Sequence, residues 1–509
     1  MILLIALLSV LLVFILFRIT SITIWVLRAA NMTANIPGPK TLPLVGNALS
    51  FANMKNLEDS LIITQTLLKE NNKPPDRISK LWLGPKLIIA LGNPKYIEAV
   101  LTSKDALNKD SFYDYLGLVM DGMIVNNGKK WHDLRKPLNR ILTKAMIESL
   151  LTKMHEKAIK LCRLWEDKVE DGKMFNLRPD LTNYFADNVC DNLLGGYKLN
   201  ELDNKKLDFN GSMERAITLL QKLMLQFPGN ISVTYAKLSK TGRQLAKESR
   251  VFFDESLKIL RATKEKMETK DNNDEEQTKN FYNVLMELKT RDNLSEEETA
   301  LKGLDVLIGG FDTTSVTSAC VLLMLAMYPE HQEAVYQEQL KIIGDDPNII
   351  PTWDQLTSME YLGRVIKEVL RLFCPLAIMR TLSKDMDFDD YKLPKGCTLY
   401  IMLYYLHRDP QFWSHPEEFY PDHFLSEAIL NRPKGSYFPF SYGPRGCPGK
   451  QYAMTISKLL LSTILRKYKF ESDCKFNELK LKYGIQLEVS DGYNCRIKYR
   501  NNNASENLS

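Results

Sequence analysis

One stretch constrains the fold more than any other: residues 295 to 328 read as a single helix. Ser295 and the three glutamates after it form a capping box, in which the Ser295 hydroxyl takes the amide near Glu298 and Glu298 reciprocates. Pro329 supplies the stop. The segment holds about 33 residues and spans near 50 Å, enough to cross a whole domain. In its middle lies GGFDTT, residues 309 to 314. Two helical glycines cost roughly 2 kcal/mol together relative to alanine, and the β-branched Thr313 and Thr314 add to that. Close packing of a second helix accounts for glycine. It does not account for Asp312 beside Thr313 in an apolar helix, where unpaired polar groups are expensive. The pattern predicts a local helix opening at Gly309 and Gly310. An alcohol and a carboxylate beside it would hold a small molecule and relay protons to it.

The rest of the chain reads as mainly α with small β-sheets. Apolar spacing of three and four runs from about 95 to 330, broken by the charged run 264 to 279, a solvated loop or frayed helix end. Short strands are expected at 87 to 92 and 398 to 406, with weaker ones after 480. A net charge of +5 on 509 residues is too mild to suggest a nucleic-acid partner. Eight cysteines without a C-x-x-C pair are no disulfide framework for a chain this long, so reduced thiols are expected.

Residues 1 to 17 carry no charge, and Ile19 to Leu27 is mostly apolar again after Arg18. Seventeen helical residues reach about 25 Å, and the second run extends the span while Arg18 snorkels. A cleaved signal peptide would end near Ala29-Ala30, but it would carry a basic start and a shorter apolar core. We read 1–28 as a transmembrane anchor, 29–47 as a proline-rich hinge with Pro37, Pro39 and Pro43, and 48–509 as one large body. Arg18, Arg28 and Lys40 come after the apolar run and place that body in the cytoplasm.

Near the C-terminus, FPFSYGPRGCPGK (438–450) sets Cys447 among Gly443, Gly446 and Gly449. These glycines free the backbone for tight turns and close approach to something flat or bulky. An apolar stripe at Ala453, Ile456, Leu460 and Ile464 predicts a helix just after the cysteine, whose N-terminus favours a thiolate. Zinc would want further ligands nearby, and a nucleophile a paired histidine; neither is marked by context. A single axial thiolate to haem iron needs one cysteine.

FSYGPRGCPG resembles the cytochrome P-450 haem signature F-x-x-G-x-R-x-C-x-G at Phe440, Gly443, Arg445, Cys447 and Gly449. Haem held by one cysteine is the general property of that family. Other family motifs stand in the right order. EVLR matches E-x-x-R at Glu368 and Arg371; GGFDTT resembles the oxygen-binding groove; WHDLR supplies Trp131 and Arg135. The resemblance covers essentially the whole chain and is strongest to the animal family-4 group, insect members included. It implies the cytochrome P-450 fold, one large haem domain behind the anchor.

The resemblance also implies a site and an activity. In that reading, Cys447 is the axial ligand of haem b. Arg445, Trp131, Arg135 and Arg380 meet the haem propionates, with Phe440, Gly443, Gly449, Gly309 and Gly310 shaping the haem and oxygen site. Asp312 and Thr313 form the acid–alcohol pair. The implied activity is monooxygenation: one oxygen atom of O2 enters a lipophilic small molecule, a fatty acid, other lipid or xenobiotic. Electrons come from NADPH through cytochrome P-450 reductase, with cytochrome b5 as a second donor, at the endoplasmic reticulum membrane. Lys129, Lys130, Lys434 and Lys450 are a candidate docking face. A haem–thiolate isomerase or dehydratase, or a non-enzymatic haem-binding protein, is the alternative. Two departures stand out. His423 replaces the arginine that usually joins Glu368 and Arg371. Gly309 replaces a glutamate that esterifies haem in many family-4 enzymes, so non-covalent haem is expected.

Overall fold

A computed structural model describes residues 2–51, 63, 66–67, 76–194, 209–225, 232–269, 281–375, 377–388 and 390–500. The apolar start forms one helix, α1 (Ile2–Met32), with every side chain from Leu3 to Ile24 exposed. Its end docks on the body. Trp25 packs edge-on against Trp82 at 6.1 Å and donates to the Lys395 carbonyl, Arg28 pairs with Asp385, and Ala29 is fully buried.

A hairpin of β1 (Ile78–Leu83) and β2 (Lys86–Leu91) comes next, then α2 (Pro94–Thr102), whose cap Asn93 accepts the Lys95 amide. The two-residue β3 (Asn108–Lys109), α3 (Gly128–Ile141) and α4 (Arg178–Asn192) come after it. The central helix α5 (Glu296–Met327) has both capping-box hydrogen bonds, the Glu298 amide donating to Ser295 Oγ and the Ser295 amide donating to Glu298 Oε2. It is apolar all round and buried over most of its length, the sign of a helix at the middle of a core. Beyond it lie α6 (Glu360–Leu372), β4 (Ile378–Thr381), β5 (Thr398–Ile401), α7 (Lys450–Lys467), and the hairpin β6 (Leu481–Tyr483) and β7 (Leu487–Val489).

The largest sheet runs β1-β2-β5-β4-β3, antiparallel except where β2 meets β5. Its β3–β4 register sets Lys109 opposite Arg380. The larger hydrophobic core gathers around α5, and a second lies under the sheet.

Three expectations are refined. The apolar run 398 to 406 is strand only to Ile401; Leu403–Leu406 is a helical turn. Apolarity by itself does not separate the two. The charged run is helical to Thr269, and 270 to 279 fall outside the described residues. No opening breaks α5 at Gly309–Gly310, where the helix is continuous.

Candidate functional site

The cysteine loop is built from backbone turns. Ser441 (φ +58°) and Gly443 (φ +68°) are left-handed, and a Cβ on Gly443 would lie 2.1 Å from the Leu101 carbonyl oxygen at the end of α2. Only glycine fits there. The Gly446 amide donates to Gly443 O at 2.9 Å and the Cys447 amide to Phe440 O at 2.8 Å, which turns the sulfur into a cavity of about 340 Å3. Gly449 caps α7. Burial pushes the Cys447 thiol up, while the Gly449 and Lys450 amides and Arg135 pull the other way.

Helix α5 forms another wall, with Gly309, Gly310, Thr313, Thr314 and Thr317 lining the cavity. The two glycines do different work. A Cβ on Gly310 would come within 2.8 Å of Val189 Cγ2 on α4, so Gly310 permits helix packing. At Gly309 the nearest atom, Ile124 Cδ1, is 3.8 Å away, so the missing side chain leaves the cavity face bare. The Thr313 hydroxyl donates to Gly309 O at 3.2 Å, and Gln486 Nε2 donates to the Thr313 carbonyl at 3.2 Å.

Asp312 does not stand beside Thr313 as the simple pair had it. It is absent from the cavity lining and 1% exposed, and its Oδ1 meets Arg178 Nη2 of α4 at 2.7 Å. Arg178 also reaches Glu488 of β7 at 3.0 Å. Burial opposes the Arg178 charge, but these two carboxylates raise its pKa.

Cations cluster at the wall formed by α3, β3 and the cysteine loop. The Arg445 guanidinium lies 4.5 Å from the Trp131 ring centroid. It donates to Leu107 O, Asn126 O and Asn127 Oδ1, yet its Nη1 has no hydrogen-bond partner, and neither has Arg135 Nε. Lys109, which no sequence motif marked, lines the same wall. Arg380 is buried behind it, outside the lining, and donates to Met379 O at 2.9 Å. Burial, then Arg380, push Arg445 down to about 9; burial, then Arg380 and Arg445, push Lys109 well down. Among the described residues none of these four cations is in an ion pair. Asp305 is near enough to act on Lys109 and Arg445, but it pairs with neither.

Phe440 and Gly449 line the cavity; Gly443 shapes the loop from outside it. Glu368 and Arg371 on α6 are both fully buried and joined through two hydrogen bonds of 2.8 and 2.7 Å. Arg371 donates further to the carbonyls of His407, His415, Pro416 and Glu418. His423 does join them. Its Nε2 accepts the His415 amide, so Nδ1 carries the proton and donates to Glu368 at 3.2 Å. Burial alone would raise the Glu368 carboxyl, but hydrogen bonds from Arg371 and His423 hold it below the usual range.

Residues 36–486 match the profile of the family described as Cytochrome P450. Among similar proteins, Cytochrome P450 4g1 of Drosophila melanogaster is 28% identical over 93% of this chain and 90% of its own length. Cytochrome P450 4c3 of the same fly is 28% identical, covering 93% and 91%. Human Cytochrome P450 4V2 is 29% identical, covering 91% and 89%. Members of this family are monooxygenases that hold haem through a cysteine thiolate. The match covers most of the 509 residues, and the chain therefore belongs to the cytochrome P450 family, with family-4 proteins among its relatives.

Proposed function

We propose that the protein binds haem b without a covalent link and inserts one oxygen atom of O2 into a lipophilic small molecule, a fatty acid, another lipid or a xenobiotic. The carrying observation is the cavity that one cysteine faces from the loop while Gly309 and Thr313 face it from α5. Unpartnered guanidinium nitrogens on Arg135 and Arg445 fit the carboxylates of a haem. Arg445, Arg135 and Lys109 would hold those carboxylates, with Trp131 stacked on Arg445 and Arg380 adding charge from behind. Cys447 would hold the haem iron through its sulfur. Once bound, haem supplies the activation of dioxygen.

The chain's own residues do the rest. Apolar side chains such as Leu138, Val306 and Ile366 exclude water from the cavity. Thr313 holds a proton on a hydroxyl that turns from the Gly309 carbonyl toward the cavity. Arg178, bridged to both Asp312 and Glu488, holds the Asp312 carboxylate in place, which makes Arg178 a positioning residue. Thr313→Ala should uncouple NADPH consumption from product formation. Acid–solvent extraction should release all the haem, because Gly309 has no side chain to form an ester.

Electrons would come from NADPH through cytochrome P-450 reductase, with cytochrome b5 as a second donor. Lys129, Lys130, Lys434 and Lys450 are all exposed and suit an acidic partner. The exposed apolar α1 suits a single-pass anchor in the endoplasmic reticulum with the body on the cytoplasmic side. Reductase-supported turnover under labelled dioxygen tests the reading: label in the product supports it. Product formed from a peroxide with no reductase would point to an isomerase or dehydratase instead.

A further inference from the structure

Asp305 is the one acid among the described residues that line the cavity. It lies on α5 four residues before Gly309 and eight before Thr313, so the three share a helix face. The loop before α3 grips one side of it. Ile124 donates its amide to Asp305 Oδ2 at 2.7 Å, and a Cβ on Gly122 would lie 2.4 Å from Asp305 Cγ. The residue is 3% exposed, and its Oδ1 has no hydrogen-bond partner.

A carboxylate accepts at two oxygens and is costly to bury with one of them idle. Burial, opposed by the Ile124 and Met123 amides, pushes this carboxyl up to about 7. Lys109 is near enough to be felt but forms no ion pair with it among the described residues. A ligand that brings a donor to Oδ1 gains a charge-assisted hydrogen bond, whereas one that brings a second carboxylate meets repulsion.

We infer that Asp305 is a substrate-anchoring residue that selects lipophilic molecules bearing a hydrogen-bond donor, an amine or hydroxyl, against those presenting a carboxylate. The inference rests on the monooxygenase reading and narrows its substrate class. One turn separates Asp305 from Gly309, about 6 Å along the axis, so oxidation falls some carbons away from the anchored group.

The test is equilibrium dialysis of the haem-loaded full-length protein in detergent, with four probes: N,N-dimethyldodecylamine, dodecanol, dodecane and dodecanoate. The wild type should bind the amine and the alcohol about tenfold more tightly than dodecane, with dodecanoate weakest. Asp305→Asn should erase the preference for the amine and keep that for the alcohol. Equal affinities for amine and dodecane in the wild type would overturn the inference with no variant needed. So would an Asp305→Asn protein that loses all four probes equally, the sign that Asp305 only pins the loop. Dialysis does not depend on turnover: failure to incorporate labelled oxygen would remove the monooxygenase reading and leave the ranking of probes readable.

Discussion

Two clusters of buried charge in this protein are built on opposite plans. Around Glu368 the charges are closed: Arg371 is fully buried, bidentate to the carboxylate and also bonded to four carbonyls, and His423 and the Tyr420 amide complete the carboxylate. Around Arg445 the charges are open: Arg135, Lys109 and Arg380 crowd together with no carboxylate in ion-pair reach among the described residues. A closed network needs nothing further and ties α6 to the loops packed on it. An open one carries an electrostatic cost that an incoming anion removes. The first plan belongs to the fold and the second to a ligand.

The comparison is broken most directly at Arg371. Arg371→Ala strands a buried carboxylate, and should cost about 3–5 kcal/mol in a denaturant titration with or without haem. That is a large share of a typical stability. At the open cluster the balance differs. Arg445→Met should weaken haem retention on transfer to apomyoglobin by roughly ten- to a hundredfold, and cost the haem-free protein less, because relief of the repulsion from Arg380 offsets part of the lost hydrogen bonds to Leu107, Asn126 and Asn127. Equal loss in both forms would mean that Arg445 is structural. His423→Ala removes one hydrogen bond to Glu368, about 1 kcal/mol of stability.

The smallest effect expected is none. Because the folded-state Glu368 pKa is depressed, its contribution is fully present above the ordinary carboxyl value and is lost only as pH falls through the lower folded one. Denaturation midpoints should therefore not move on this account between about pH 7 and pH 5.5. In Arg371→Ala the carboxyl is raised instead, and stability should climb as pH falls.

Much of this was legible without coordinates because it depends on neighbours in the chain. The capping box at Ser295 and the helix after Cys447 are local hydrogen-bonding patterns. Glu368 and Arg371, three residues apart on one helix, were bound to meet. His423 carried only a motif position, and its proton assignment needed the His415 amide. Lys109 had no local mark among 67 basic residues; only the pairing of β3 with β4 brings it beside Arg380 and onto the cavity wall. Asp305 and Arg178 were likewise silent.

The two long apolar helices show where the division lies. By length and composition both α1 and α5 are able to cross a membrane, yet α1 is exposed along its span and α5 is mostly buried inside the body. Sequence alone determined the central helix and its ends, the helix after Cys447, the cysteine turn and the family, since all of these depend on residues close together in the chain. Tertiary structure decided which helix is core, that Gly310 packs while Gly309 opens the cavity, and that Asp312 turns to Arg178. Those outcomes depend on which distant side chains share a space, and burial sets the energy of every charge placed there.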